Sequence, residues 1–125
     1  MLTVTKRFHF CYGHKLKEYN GLCKNIHGHN SVLEVEIKES KNTKYEFPNM
    51  IIDFSRLKKI VKEEVIDILD HQFLNTILVT DYPTAEYITK WIVKKLKVIF
   101  GDDLVRVRLT ETDDSWAEWK ADEIL

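Results

Sequence analysis

The chain has 125 residues, 19 Lys and Arg against 20 Asp and Glu, and a hydrophobic fraction of 44%. That is the size of one domain, residues 1–125, with enough apolar surface for an ordinary core. Its net charge of -1 gives no electrostatic reason to expect nucleic acid or an anionic membrane. No stretch reaches the ~20 apolar residues of a membrane span, and MLTVTKRFHF lacks the apolar segment of a signal peptide. Two cysteines, Cys11 and Cys23, do not make a disulfide framework and fit a reduced, cytoplasmic location.

Residues 3–13 are rich in Thr, Val and aromatics. Phe8, Phe10, Tyr12 and His14 share one parity, so they would share one strand face. His9 and Cys11 have the opposite parity, and we read His9 as a packing or surface histidine and Cys11 as a small buried residue. Residues 15–27, polar and containing Gly21, read as a loop. Residues 31–38 alternate, with Leu33, Val35 and Ile37 facing one way and Glu34, Glu36 and Lys38 the other. Residues 39–49 read as a loop. Phe54, Leu57, Val61, Val65 and Ile68 then recur at helical spacing over 54–69, with Asp53 or Ser55 to cap the start. A second helix follows Pro83-Thr84, carries Ile88, Trp91, Ile92, Leu96 and Ile99, and ends at Gly101. Residues 104–111 alternate as a third strand, and 115–121 form a weaker fourth.

The order ββααββ predicts an α+β domain: a four-stranded antiparallel sheet with two helices on one face. The other face would carry Glu34, Glu36, Arg106 and Arg108 and be wet. Two unpaired edges remain, which association between subunits would cover.

Three groups of residues carry chemistry. His27 and His29 lie two apart, and in an extended segment both imidazoles point to the same side, as chelation of one ion requires. Gly28 between them leaves room for a bulge or a close backbone approach. His14, at the end of the aromatic strand face, is the best third ligand, since a hairpin-like return brings it beside His27. Three neutral imidazoles suit Zn2+ and leave one position open, the pattern of a catalytic ion. Against this stands a chance His-x-His. Cys23 is a fourth ligand, a nucleophile or base beside the ion, or an inert loop cysteine. Asp70 beside His71 can orient the ring and raise its basicity, or the pair are polar residues at a helix C-terminus. Glu111 can grip a guanidine-like ligand edge through two hydrogen bonds, or be a solvated strand end.

These pieces together resemble one family, the 6-pyruvoyltetrahydropterin and 6-carboxytetrahydropterin synthases. The matching stretches are FCYGHKL (10–16), CKNIHGHN (23–30), MIIDFSRLK (50–58), LDHQFLN (69–75), YPTAEYITKWI (82–92) and LTET (109–112), in the family's order and near its spacing. The resemblance implies the tunnelling fold, in which three subunits join edge to edge into a barrel and two trimers stack as a homohexamer with active sites between subunits. It implies His14, His27 and His29 as zinc ligands and Cys23 as the catalytic thiol, with Asp70 and His71 of a neighbouring chain as its acid–base partners. Glu111 becomes the pterin anchor, and Thr84 and Glu86 lie in the stretch that lines the pterin pocket. The implied substrate is 7,8-dihydroneopterin triphosphate. Three residues between Cys23 and His27 resemble the carboxy branch of the queuosine pathway, which releases acetaldehyde; the pyruvoyl branch of biopterin synthesis, the alternative, has a longer insert. The chain departs from the family at Cys11, Tyr12 and Gly13, where small residues are usual, with Tyr12 expected to alter the pocket mouth. Asn49 stands where a Gly is frequent and tolerates the same left-handed backbone, and Ala85 replaces a hydroxyl residue.

Overall fold

The alternation of residues 3–13 becomes strand β1, Thr3–His14, in the computed structural model, which describes residues 1–21, 24–40 and 47–122. Its even positions form the buried face: Phe8, Phe10, Tyr12 and His14 are all at most 8% exposed. β1 pairs antiparallel along its whole length with β2, His27–Lys38, from Thr3 opposite Lys38 to His14 opposite His27. β2 therefore begins at His27, inside the segment expected to be loop. Its first four residues, His-Gly-His-Asn, lack the apolar alternation that marks a strand, and only their pairing with β1 makes them one. Gly28 makes no bulge there; it sits directly opposite Gly13.

Helix α1, Phe54–Val61, starts at Asp53, whose carboxylate accepts from the Ser55 amide at 2.8 Å. It runs through a π-helical turn, Lys62–Ile66, into the short α2, Asp67–Leu69. The sequence explains the interruption. Leu57, Val61, Val65 and Leu69 recur every fourth residue, and all are fully buried. At 3.6 residues per turn such a row would drift round the helix. A wider turn absorbs the excess and keeps all four on the core. Phe54, expected on this stripe, lies half exposed at the helix start.

The chain then forms β3, Gln72–Phe73, which pairs parallel with Tyr12 and Gly13 on the outer edge of β1. One turn of helix, α3, Leu74–Ile77, leads on to α4, Ala85–Phe100. Thr84 caps α4 by accepting from the Tyr87 amide at 3.1 Å, and Gly101, at φ +54°, ends it. Ile88, Ile92 and Leu96 of α4 are buried, while Ile99 faces outward. β4, Leu104–Thr112, and β5, Ser115–Lys120, complete the sheet. Its order is β3-β1-β2-β4-β5. The expected four strands are thus five, with one parallel pair, because two residues too short to show a pattern find an edge to join.

The face away from the helices carries the expected charges, tightly paired. Arg106 donates to Glu36 at 2.6 Å and to Glu34 and Glu118 at 3.0 Å, and Arg7 donates to Glu34 at 2.8 Å. Burial pushes the Glu34 carboxyl upward, but the two guanidinium partners prevail and hold it below its usual range. Arg108 stacks over Trp116 at 3.9 Å. Among the described residues no helix is long and apolar enough to cross a membrane.

Candidate metal centre and acid–base pair

The pairing of β1 with β2 assembles the first site. It sets His14 opposite His27 and Tyr12 opposite His29, with all four side chains on the core side. The imidazole rings stand edge to face, 4.5 to 4.9 Å apart. β4 supplies a carboxylate. Its ladder shifts register between Thr110 and Thr112, so Glu111 is the extra residue of a bulge, a device that re-aims a side chain. The Ser31 hydroxyl donates to the Thr110 carbonyl, and the Thr110 hydroxyl accepts from the Val32 amide at 2.8 Å. These side-chain bonds replace ladder bonds where β4 leaves β2. Glu111 Oε1 then lies 3.2 Å from His29 Nε2 and 3.6 Å from His14 Nε2.

The hydrogen bonds behind the rings decide their chemistry. His14 Nδ1 faces the Pro83 carbonyl at 2.8 Å, and His27 Nδ1 faces the Asn25 carbonyl at 2.7 Å. A carbonyl only accepts, so both Nδ1 atoms carry the proton and both Nε2 atoms present lone pairs. The His29 ring is held by the Glu111 backbone. His14 Nε2 and His29 Nε2 sit 3.0 Å apart, and His27 Nε2 is buried with no partner among the described residues. Lone pairs so close call for a shared proton or a cation. Burial is the main cause that lowers the pKa of both His14 and His29 and keeps them neutral. The donor atoms of His14, His27, His29 and Glu111 lie within 4.8 Å of one another. Three imidazoles oriented by outer carbonyls fit a zinc ion, with the Glu111 carboxylate close beside them.

A second group lies on the other side of β1. The Asp70 carboxylate accepts from the Cys11 amide at 3.0 Å and contacts His71 Nδ1 at 2.9 Å. The His71 amide in turn donates to the Cys11 carbonyl at 2.7 Å, with His71 held at φ +59°. Adjacent residues need not touch; here a left-handed residue turns the pair so that they do. The bond from Cys11 is the main cause that lowers the Asp70 pKa. An ionised Asp70 thus holds the proton on His71 Nδ1 and leaves Nε2 free on a ring that is 79% exposed.

Cys11 differs from the expectation of a small buried residue. Its parity puts it on the face without helices, where it is half-buried and its thiol donates to Asn30 Oδ1 at 2.9 Å. Its thiol, the Asp70 carboxylate and the His71 ring lie within 4.8 Å of one another, a placement that depends on the edge contact made by β3. Cys23 lies outside the described residues. Thr84 caps α4, directly after the Pro83 carbonyl that holds His14, and Glu86 stands exposed in the first turn. Asn49 adopts the expected left-handed backbone, at φ +64°. Tyr12 is 2% exposed and packs against the imidazoles.

A cavity of about 660 Å³ crosses the ends of β1 and β2. Gly13 and Gly28, paired across the strands, leave its floor free of side chains. His27, His29, Tyr12, Cys11, Asn30 and His71 all border it, so both groups reach one space. Thr84 and Glu86 are not among the residues that border it.

Comparison with known proteins gives concordant results. Residues 3–122 match the family model described as 6-pyruvoyl tetrahydropterin synthase. A 6-carboxy-5,6,7,8-tetrahydropterin synthase from Haemophilus influenzae is 32% identical over an alignment of 140 positions, covering 96% of this chain and 99% of that protein. A 6-pyruvoyl tetrahydrobiopterin synthase from Dictyostelium discoideum is 33% identical over 136, covering 95% and 96%. The structure of Caenorhabditis elegans 6-pyruvoyl tetrahydropterin synthase superposes with a TM-score of 0.78 at 24% identity, over 97% of this chain and 96% of that one. At that identity the likeness speaks for the fold.

Proposed function

The chain belongs to the 6-pyruvoyl tetrahydropterin synthase family, and from that premise we propose that it is a zinc-dependent 6-carboxy-5,6,7,8-tetrahydropterin synthase. It would act as a lyase that converts 7,8-dihydroneopterin triphosphate and one water to 6-carboxytetrahydropterin, acetaldehyde and triphosphate. The observation that carries the reading is the convergence of three imidazoles on one cavity, one nitrogen without a partner among the described residues.

In this reading His14, His27 and His29 hold the zinc, which supplies Lewis acidity to the substrate's side-chain hydroxyls. Glu111, raised from the ladder by its bulge, takes the amino-pyrimidinone edge of the pterin through paired hydrogen bonds. The Cys23 thiolate removes a proton from the side-chain carbon. His71, fixed in one tautomer by Asp70, moves a second proton through its exposed Nε2. Ring and side chain exchange protons and electrons internally, so no redox cofactor is needed. The two open sheet edges, β3 and β5, support a homohexamer of two edge-joined trimers, in which Asp70 and His71 serve the Cys23 of a neighbouring chain.

The carboxy branch is preferred on the three residues between Cys23 and His27. A specific observation favours a second reading, pyruvoyl synthesis: the Dictyostelium relative of that name is as similar as the Haemophilus one. Product analysis separates them. Zinc-loaded protein incubated with 7,8-dihydroneopterin triphosphate should release one acetaldehyde per triphosphate and give a 6-carboxy pterin by mass. A 6-pyruvoyl product without acetaldehyde would assign the other branch, and no turnover would refute both.

A further inference from the structure

The metal-facing imidazoles have their outer protons satisfied by the backbone. A neighbouring polar group has not. Tyr12 is 2% exposed, and its phenol oxygen is buried without a hydrogen-bond partner among the described residues. Its ring stands edge-on to His14 at 5.3 Å and tilted to His29 at 5.6 Å, with Phe10 on the other side at 5.8 Å. The sequence dictates this placement: parity puts Tyr12 on the face of His14, and strand pairing sets it opposite His29. Tyr12 also borders the cavity. A phenol O–H can donate a hydrogen bond.

An unmade hydrogen bond in a buried place is destabilising, and phenylalanine would fill the same space without that cost. Among the described residues nothing compensates that hydroxyl. What it can serve is a ligand that brings an acceptor beside the imidazoles. We propose that Tyr12 is a substrate-selecting residue of this site, its phenol donating a hydrogen bond to an oxygen on the side chain of the bound pterin. The ring system, gripped elsewhere, would not feel it. The inference rests on the pterin reading above and adds to it a residue that discriminates among pterins by their side chains.

The test compares zinc-loaded wild type with Tyr12→Phe, using two probes: neopterin, which carries a trihydroxypropyl side chain, and pterin, which carries none. Dissociation constants come from ligand fluorescence, and zinc content and Tm are measured alongside. Tyr12→Phe should weaken neopterin about 5- to 10-fold, the loss of one hydrogen bond, and leave pterin within about twofold. Zinc content should be unchanged, and Tm unchanged or raised, since the orphaned hydroxyl is gone. Equal affinity for neopterin, an equal loss for both probes, or a lowered Tm would overturn the proposal; the last would show that the hydroxyl is bonded inside the protein. Failure of the wild type to bind either probe would instead overturn the pterin reading itself, and this inference with it.

Discussion

His14 joins strand, helix and site in a single side chain. Parity on β1 buries it, the Pro83 carbonyl takes its Nδ1 proton, and its Nε2 faces His29 and Glu111. Burial lowers the pKa of both His14 and His29 from the ordinary 6.5, which sets the sign of the pH dependence. Above 6.5 folded and unfolded chains are alike neutral, and nothing is lost. As pH falls below 6.5, the unfolded chain takes protons that the folded one refuses, so the metal-free protein loses stability until the lowered folded values are passed. Zinc competes with the same protons. Its affinity, measured by chelator competition, should be flat from pH 8 to 6.5 and decline only at lower pH. A decline that began near pH 8 would contradict this and point to a thiolate, which competes with protons from about pH 8.5 downward, as a ligand. The three histidines were legible because their parity and spacing survive in the strands. The nearness of Cys11 to Asp70 was not, since it depends on an edge contact made by β3.

At the level of elements, Thr84 and Pro83 tie a helix start to the metal centre. Thr84→Ala removes the cap of α4 and should cost about 1 kcal/mol in denaturant unfolding. Because the cap adjoins the carbonyl that orients His14, zinc affinity should fall with it. If pterin affinity fell while stability and zinc affinity held, Thr84 would be a pocket-lining residue instead. Most elements could be read in advance from alternation along β1 and β4 and from the helical spacing of Leu57, Val61 and Val65. What escaped has physical reasons. The start of β2 is polar and glycine-containing, and β3 is two residues long. The π-helical turn answers to packing, not to propensity, and the bulge that turns Glu111 depends on Ser31 and Thr110 bonding across strands.

On the scale of the whole molecule, one face of the sheet is sealed by helices and the other by paired charges around Arg106, while the β3 and β5 edges stay open. The imidazoles are largely buried, whereas His71 is 79% exposed beside an edge strand. That asymmetry fits groups with different destinations: a metal centre completed within one chain, and an acid–base pair offered to the next. In the proposed reading the working site is shared between chains. It is tested most directly by mixing two variants, Cys23→Ala and His71→Ala, each folded, zinc-loaded and inactive alone. After subunit exchange, sites that combine an intact Cys23 from one chain with an intact His71 from another should restore about a quarter of wild-type turnover. Continued inactivity of the mixture, with exchange verified by mass, would contradict the account and place thiol and imidazole in the same chain.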